Sequence, residues 1–163
     1  MTWSEIRSIV LGVLIQKLPT FIMKRIYTLE DLKGDIDISI RGTGDPVTFN
    51  LHGIPEVNVY FRVTNLSYLD IEVEIFFVSL WLKGKGKISK QEVHFREPQI
   101  RARSIRDMLW NTSLNEYQVK IVDNYFKETK KDIYCDFDVN ARISSTIGRL
   151  SIEKNLENIR CRS

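Results

Sequence analysis

Two cysteines, two histidines and no C-x-x-C pair in 163 residues deprive this chain of several common ways of holding itself together. Cys135 and Cys161 alone cannot form a disulfide framework, so a hydrophobic core has to do that work. His52 and His94 do not stand at metal-ligand spacing from either cysteine, which argues against a structural zinc site. In the N-terminal segment uncharged residues run only from 8 to 16, or to 23 if Lys17 is tolerated, whereas about 20 apolar residues are needed to cross hydrocarbon. A secretory signal is equally poor, because Glu5 precedes the short apolar run 9–15 and no small-residue cleavage site follows. The expected location is cytoplasmic, with a peripheral place at a membrane open.

What is present is enough apolar material for one domain: 43% of the residues are hydrophobic and the length suits a single core. The net charge of +3 is unevenly placed. Residues 1–27 hold Arg7, Lys17, Lys24 and Arg25 against Glu5 alone, so this segment's charge equals the excess of the whole molecule. Such an asymmetry points to an anionic surface as partner for the N-terminus.

The same segment carries a helical pattern. Trp3, Ile6, Val10, Val13, Leu14, Leu18, Phe21 and Ile22 recur at steps of three and four, the period of an amphipathic helix. Pro19 should kink or interrupt it, since proline lacks the amide donor and crowds the preceding turn. These eight apolar residues with Arg7, Lys17, Lys24 and Arg25 are the candidate membrane-contact set, apolar face toward acyl chains and cations near headgroups. The alternative is that the helix packs on its own domain or on a second copy. The expected organisation is a helical segment over 1–30 and a β-sandwich domain over 31–163.

Residues 57–82 announce the sandwich. Val57, Val59, Phe61 and Val63 point one way and Asn58, Tyr60, Arg62 and Thr64 the other, because side chains alternate across a strand. After Asn65-Leu66-Ser67, Leu69, Ile71, Val73 and Ile75 oppose Asp70, Glu72 and Glu74, and the phase then shifts through Phe76-Phe77. A bulge or a bend between sheets accounts for such a shift. Ile36, Ile38 and Ile40 give a first strand, preceded by a polar link over 29–34, and Val47, Phe49 and Leu51 alternate after a turn at Gly42-Thr43-Gly44-Asp45-Pro46. That glycine turn lacks the Lys-Ser or Lys-Thr of a phosphate loop and leads into a strand rather than a helix, so it does not indicate nucleotide binding.

Lys83-Gly84-Lys85-Gly86-Lys87 reads as a tight turn between two strands, the second continuing toward Arg103. With Lys90, Arg96, Arg101, Arg103 and Arg106 the stretch is basic, but only His94 and Phe95 are at hand for stacking, so no nucleic-acid partner is expected. Between 104 and 131 the period becomes helical. Ser113 and Glu116 are spaced as a capping box, and Leu114, Tyr117, Ile121 and Tyr125 fall on one stripe expected to cover an open end of the sandwich.

The last third returns to strands. Ile133, Cys135, Phe137, Val139, Ala141 and Ile143 alternate with polar residues, and Leu150 and Ile152 resume after Gly148. Cys135 thus reads as a small buried hydrophobe; whether it pairs with Cys161 is open. Asp136-x-Asp138-x-Asn140 imitates a calcium loop, but Ala141 and Ile147 stand where glycine and glutamate are required, so neither a metal nor a cofactor is indicated.

The order of elements resembles the group-2 late embryogenesis abundant family, the water-stress and hypersensitive-response domain, over about residues 33–163. The likeness rests on Val57-x-Val59-x-Phe61-x-Val63-x-Asn65, on Val78-x-Leu80-x-Leu82-x-Gly84, and on Val139-x-Ala141-x-Ile143 before Gly148. The family often has Asn-Pro after its long strand, where this chain has Asn65-Leu66. The resemblance implies an antiparallel immunoglobulin- or fibronectin III-like β-sandwich with one additional helix, a hydrophobic segment ahead of it, and a non-enzymatic protective or binding role in stress, with no catalytic or ligand residues to carry over. The enzyme alternative would have to use His52, His94 and the carboxylates near Asp136. A cavity for an apolar ligand would have to be lined by Phe76, Phe77, Trp81 and Trp110, which fill a core equally well.

Overall fold

The computed structural model describes residues 18–95, 99–129 and 133–161. Two short helices, α1 (Thr20–Ile26) and α2 (Leu29–Gly34), precede strands β1 (Ile36–Ile40), β2 (Val47–Asn50), β3 (Glu56–Asn65), β4 (Ile71–Leu82), β5 (Gly86–His94), β6 (Gln99–Ile100) and β7 (Ser104–Ser113). Helix α3 (Glu116–Thr129) and strands β8 (Ile133–Ser145) and β9 (Gly148–Cys161) complete the order. Every strand pairing is antiparallel, and the strands make two sheets.

In the first sheet β3 is central. β7 pairs with its full length on one side, while β1 and β2 lie end to end on the other, Ile36 opposite Asn65 and Val47 opposite Val59. In the second sheet β4 is flanked by β5 and β6 on one side and by β8 on the other, with β9 outside β8. The expected β-sandwich with an added helix is what the chain forms.

Burial follows the alternation. Val57, Val59, Phe61 and Val63 are fully enclosed, and they face Phe76, Val78, Leu80, Phe137, Val139 and Ala141 of the other sheet. Phe61 meets Phe76 and Phe137 edge to face, with ring centroids 5.6 and 5.9 Å apart. That geometry aligns the positive edge of one ring with the negative face of the next, and each such side chain contributes about 1.5–3 kcal/mol through burial alone.

The phase shift expected at Phe76-Phe77 is a bulge, and it lies two residues earlier. The register of β4 against β8 skips Glu74, so Ile75 and Phe76 are buried in succession. A second irregularity, opposite Leu80 and Trp81, skips Ile88 of β5 and turns that residue inward. A third, in β9, is centred on Asn158, whose φ of 57° is left-handed and whose amide donates to Asp136 Oδ1 at 2.8 Å.

Three expectations are corrected. Residues 104–113 are a strand, not the approach to a helix. Met108, Trp110 and Thr112 point inward while Ile105 and Leu109 remain exposed, and this apolar load on both faces hides the period of two. The capping box belongs to Asn115 and Gln118, not Ser113 and Glu116: Asn115 Oδ1 accepts from the Gln118 amide and Gln118 Oε1 from the Asn115 amide. Ser113 is still in the sheet, opposite Glu56. The helical stripe is rotated accordingly, with Val122 fully buried, Val119, Ile121, Tyr125 and Phe126 packed beside it, and Tyr117 73% exposed.

The third correction concerns the polar link, which is helix α2. Thr28 and Asp31 form a reciprocal cap at its start, and Leu32 is fully buried beneath it. Helix α3 does lie over an open end of the sandwich. Phe126 meets Phe49 of β2 edge to face at 5.7 Å, and Gln118 Nε2 donates to the carbonyl of Ile88 in β5.

Candidate functional site

Two surfaces deserve comparison as sites, and the first is the segment ahead of the sheets. Pro19 sits immediately before α1 and starts it, since a missing amide costs nothing at a helix N-terminus. Leu18 packs against the core, and Met23, which stands outside the candidate membrane-contact set, is buried. Tyr27 continues this docking, its hydroxyl donating to Asp35 Oδ2. Burial, and then the bond to Asp35, push that phenol well above its ordinary value.

Phe21, Lys24 and Arg25 are exposed, Phe21 at 69%. They are spaced i, i+3 and i+4, so one strip of α1 offers an aromatic ring between two cations. Ile22 is half-buried. Trp3, Ile6, Arg7, Val10, Val13, Leu14 and Lys17 lie outside the described residues. Among the described residues no helix is long and apolar enough to cross a membrane.

The second surface is the solvent face of the larger sheet. The four aromatics considered as a ligand lining are divided: the bulge at Glu74 sends Phe76 inward and leaves Phe77 and Trp81 facing outward, while Trp110 of β7 fills the interior from the other sheet. Phe77, Ser79, Lys90, Asp138, Asn140, Arg142 and Glu153 border an open groove of about 750 Å³. Its side chains are knit across the strands. Trp81 Nε1 donates to Asp138 Oδ2 at 2.8 Å and Asn140 Nδ2 to Glu153 Oε1 at 3.0 Å, while Lys154 Nζ reaches Asp37 Oδ1 of β1, in the other sheet, at 2.7 Å.

Cations cover the rings. The Lys87 ammonium lies 4.6 Å from the Trp81 ring centre, and the Arg142 guanidinium 5.8 Å from that of Phe77. Asp138, Asn140 and Glu153 are therefore engaged in cross-strand pairing, the usual way a wet sheet face is stabilised.

The groups named for an acid-base alternative are far apart. His94 pairs with Glu92 on its own strand and stands opposite Ile75, whereas Asp136 stands opposite Trp81, six residues or roughly 20 Å along β4. His52 lies between β2 and β3, near Asp123 and Phe126 of α3. Asp136 and Asp138 accept from Asn158 and Trp81, and the described residues contain no cluster of three metal-ligating side chains.

The basic stretch is dispersed in a similar manner. Lys85 pairs with Glu128, Lys83 with Asn158, and Arg106 donates to the Gln99 carbonyl, while Arg103 lies over Tyr68. Arg96 lies outside the described residues.

Shifted titratable groups elsewhere have structural causes. Two hydrogen bonds from Arg62, at 2.8 and 3.1 Å, hold the Asp107 carboxyl below the ordinary range. Asn111 and Asn58 do the same for Glu56.

No protein-family model matches the sequence, and no curated protein is significantly similar to it. Solved structures are similar in fold. A solution structure described as "a putative late embryogenesis abundant (LEA) protein" is 14% identical, covers 98% of this chain and 87% of its own, and superposes with a TM-score of 0.53. The X-ray structure of a structural-genomics target, SoR45, is 10% identical over 81% of this chain and 89% of its own, with a TM-score of 0.50. At such identities the likeness is one of architecture: this chain is an antiparallel β-sandwich similar in fold to the late embryogenesis abundant structure.

Proposed function

We propose that this chain is a non-enzymatic, stress-protective or binding β-sandwich domain that associates with an anionic membrane surface through its N-terminal segment. The observation that carries the reading is the division of labour over residues 18–25. Leu18 and Met23 anchor the segment to the sandwich, and Phe21, Lys24 and Arg25 are left facing solvent. The cationic excess of residues 1–27 and their apolar period add to it. The stress-related part of the reading draws on the likeness in fold to the late embryogenesis abundant structure.

Flotation with phosphatidylserine-containing vesicles at low salt tests the reading. The full chain should rise with the vesicles, and the combined variant R7E/K17E/K24E/R25E should stay at the bottom. Equal behaviour of the two chains would refute an electrostatic attachment.

The burial of Met23 and the packing of the partly buried Leu18 also favour a second reading, a soluble interaction module whose helix packs on the sandwich or on a second copy. Light scattering separates the two. A vesicle-indifferent chain whose mass is that of a dimer fits the second reading, and a vesicle-binding monomer fits the first.

A further inference from the structure

Cys135 and Cys161 come from strands that run side by side, and their sulfurs are 2.8 Å apart. Both residues are buried and both are free thiols. Their meeting depends on the bulge in β9. Leu150, Ile152 and Leu156 face the core on even positions, opposite Ile143, Ala141 and Phe137. On that phase Cys161 would face solvent. The extra residue at Asn158 shifts the phase by one, so that Ile159 stands opposite Cys135 and Cys161 turns inward opposite Ile133.

We propose that Cys135 and Cys161 are an oxidation site, a dithiol that closes to an intramolecular disulfide when a small-molecule disulfide such as oxidised glutathione supplies the oxidising equivalents. The thiolate of one cysteine attacks the reagent, forming a mixed disulfide and expelling one reagent thiolate. The second cysteine, deprotonated in turn, attacks the sulfur of the first and expels the other. Two protein thiols lose two electrons and two protons, and one reagent disulfide becomes two thiols. In the closed fold the pair is held as thiols, by the hydrogen bond from Cys161 and then by burial, so reaction proceeds through opening of the end of β9. Cys161 is the last residue of that strand and Cys135 the third of β8, so only a strand end has to move. The bond would staple β9 to β8 at the end of the sandwich that α3 covers.

The test uses the full chain, unfolded and refolded in excess oxidised glutathione, and in parallel incubated folded with the same reagent. Titratable thiols should fall from two to none, with a mass loss of two hydrogens, a cross-linked peptide joining Cys135 to Cys161, and full reversal by dithiothreitol. The thermal midpoint should rise by about 5 °C or more, as expected for closing a loop of this length in the unfolded chain. The variant C161S should show neither the cross-link nor the rise. Two titratable thiols after refolding, glutathione adducts alone, or only interchain dimers would each overturn the proposal.

Discussion

The side-chain amide of Asn65 donates to the main-chain oxygen of Arg101 at 2.9 Å, tying the end of the central strand of one sheet to the segment that returns from the other. The same nitrogen donates to the Leu69 carbonyl at 2.8 Å, and Oδ1 accepts from the amide and the hydroxyl of Ser67. One buried side chain thus bonds to polar groups in two of the three crossings between sheets, from β3 to β4 and from β6 to β7.

Asn65→Ala should therefore be costly. It leaves the buried Ser67 amide without its acceptor and takes one hydrogen bond each from the Leu69 and Arg101 carbonyls, which keep the Ser67 and Ser104 hydroxyls, an expected loss of about 1–3 kcal/mol. Urea unfolding checks this: the midpoint should fall with the slope unchanged. A loss within about 0.5 kcal/mol, the range of ordinary surface changes, would contradict the role assigned to Asn65.

Acid should weaken the fold through carboxylates that are engaged when folded. Arg62 lowers Asp107 mainly by hydrogen bonding, the Thr28 amide and hydroxyl lower Asp31, and Asn111 and Asn58 lower Glu56. A depressed folded pKa contributes stability that is complete above the unfolded value, near pH 4, and is lost as pH falls through the folded value. Urea midpoints should accordingly be flat above about pH 5 and decline between about pH 4 and 2. Asp107→Asn should make that decline shallower, and added salt should shrink the contribution of this exposed pair. An identical acid slope in the variant would show that the Arg62 pairing is without thermodynamic effect.

The start of α3 separates two overlapping sequence signatures. Asn115→Ala should cost about 1 kcal/mol by removing the acceptor of the Gln118 amide, and Ser113→Ala should change stability by less than about 0.5 kcal/mol. The reverse ranking would restore the cap to Ser113 and Glu116.

These cases show where the sequence is readable and where it is not. β3 and β8 are legible because one face of each is buried and the other wet, so Val57 to Val63 and Ile133 to Ile143 alternate without error. β7 is not, because Met108-Leu109-Trp110 is apolar on both faces and Leu109 gains its place from pairing opposite Tyr60. Bulge positions are also hidden. Glu74 looks like a regular outward residue, yet it is the one skipped in the register, and it determines that Phe76 is core and Phe77 surface. Likewise nothing local to Cys161 reveals its neighbour, since the bulge at Asn158 sets its direction. Ahead of the sheets, the residues turned to the sandwich are likewise hidden, since the burial of Met23 and Leu32 emerges only from docking.

The strip formed by Phe21, Lys24 and Arg25 gives the membrane proposal its most direct test. In the full-length variant F21W, the emission that exceeds that of the unsubstituted chain reports the new indole alone. On adding phosphatidylserine-containing vesicles at low salt this difference spectrum should shift to the blue, with no shift on zwitterionic vesicles, because a ring at position 21 enters the headgroup region. An unshifted difference spectrum in the presence of anionic vesicles would contradict membrane association through this segment.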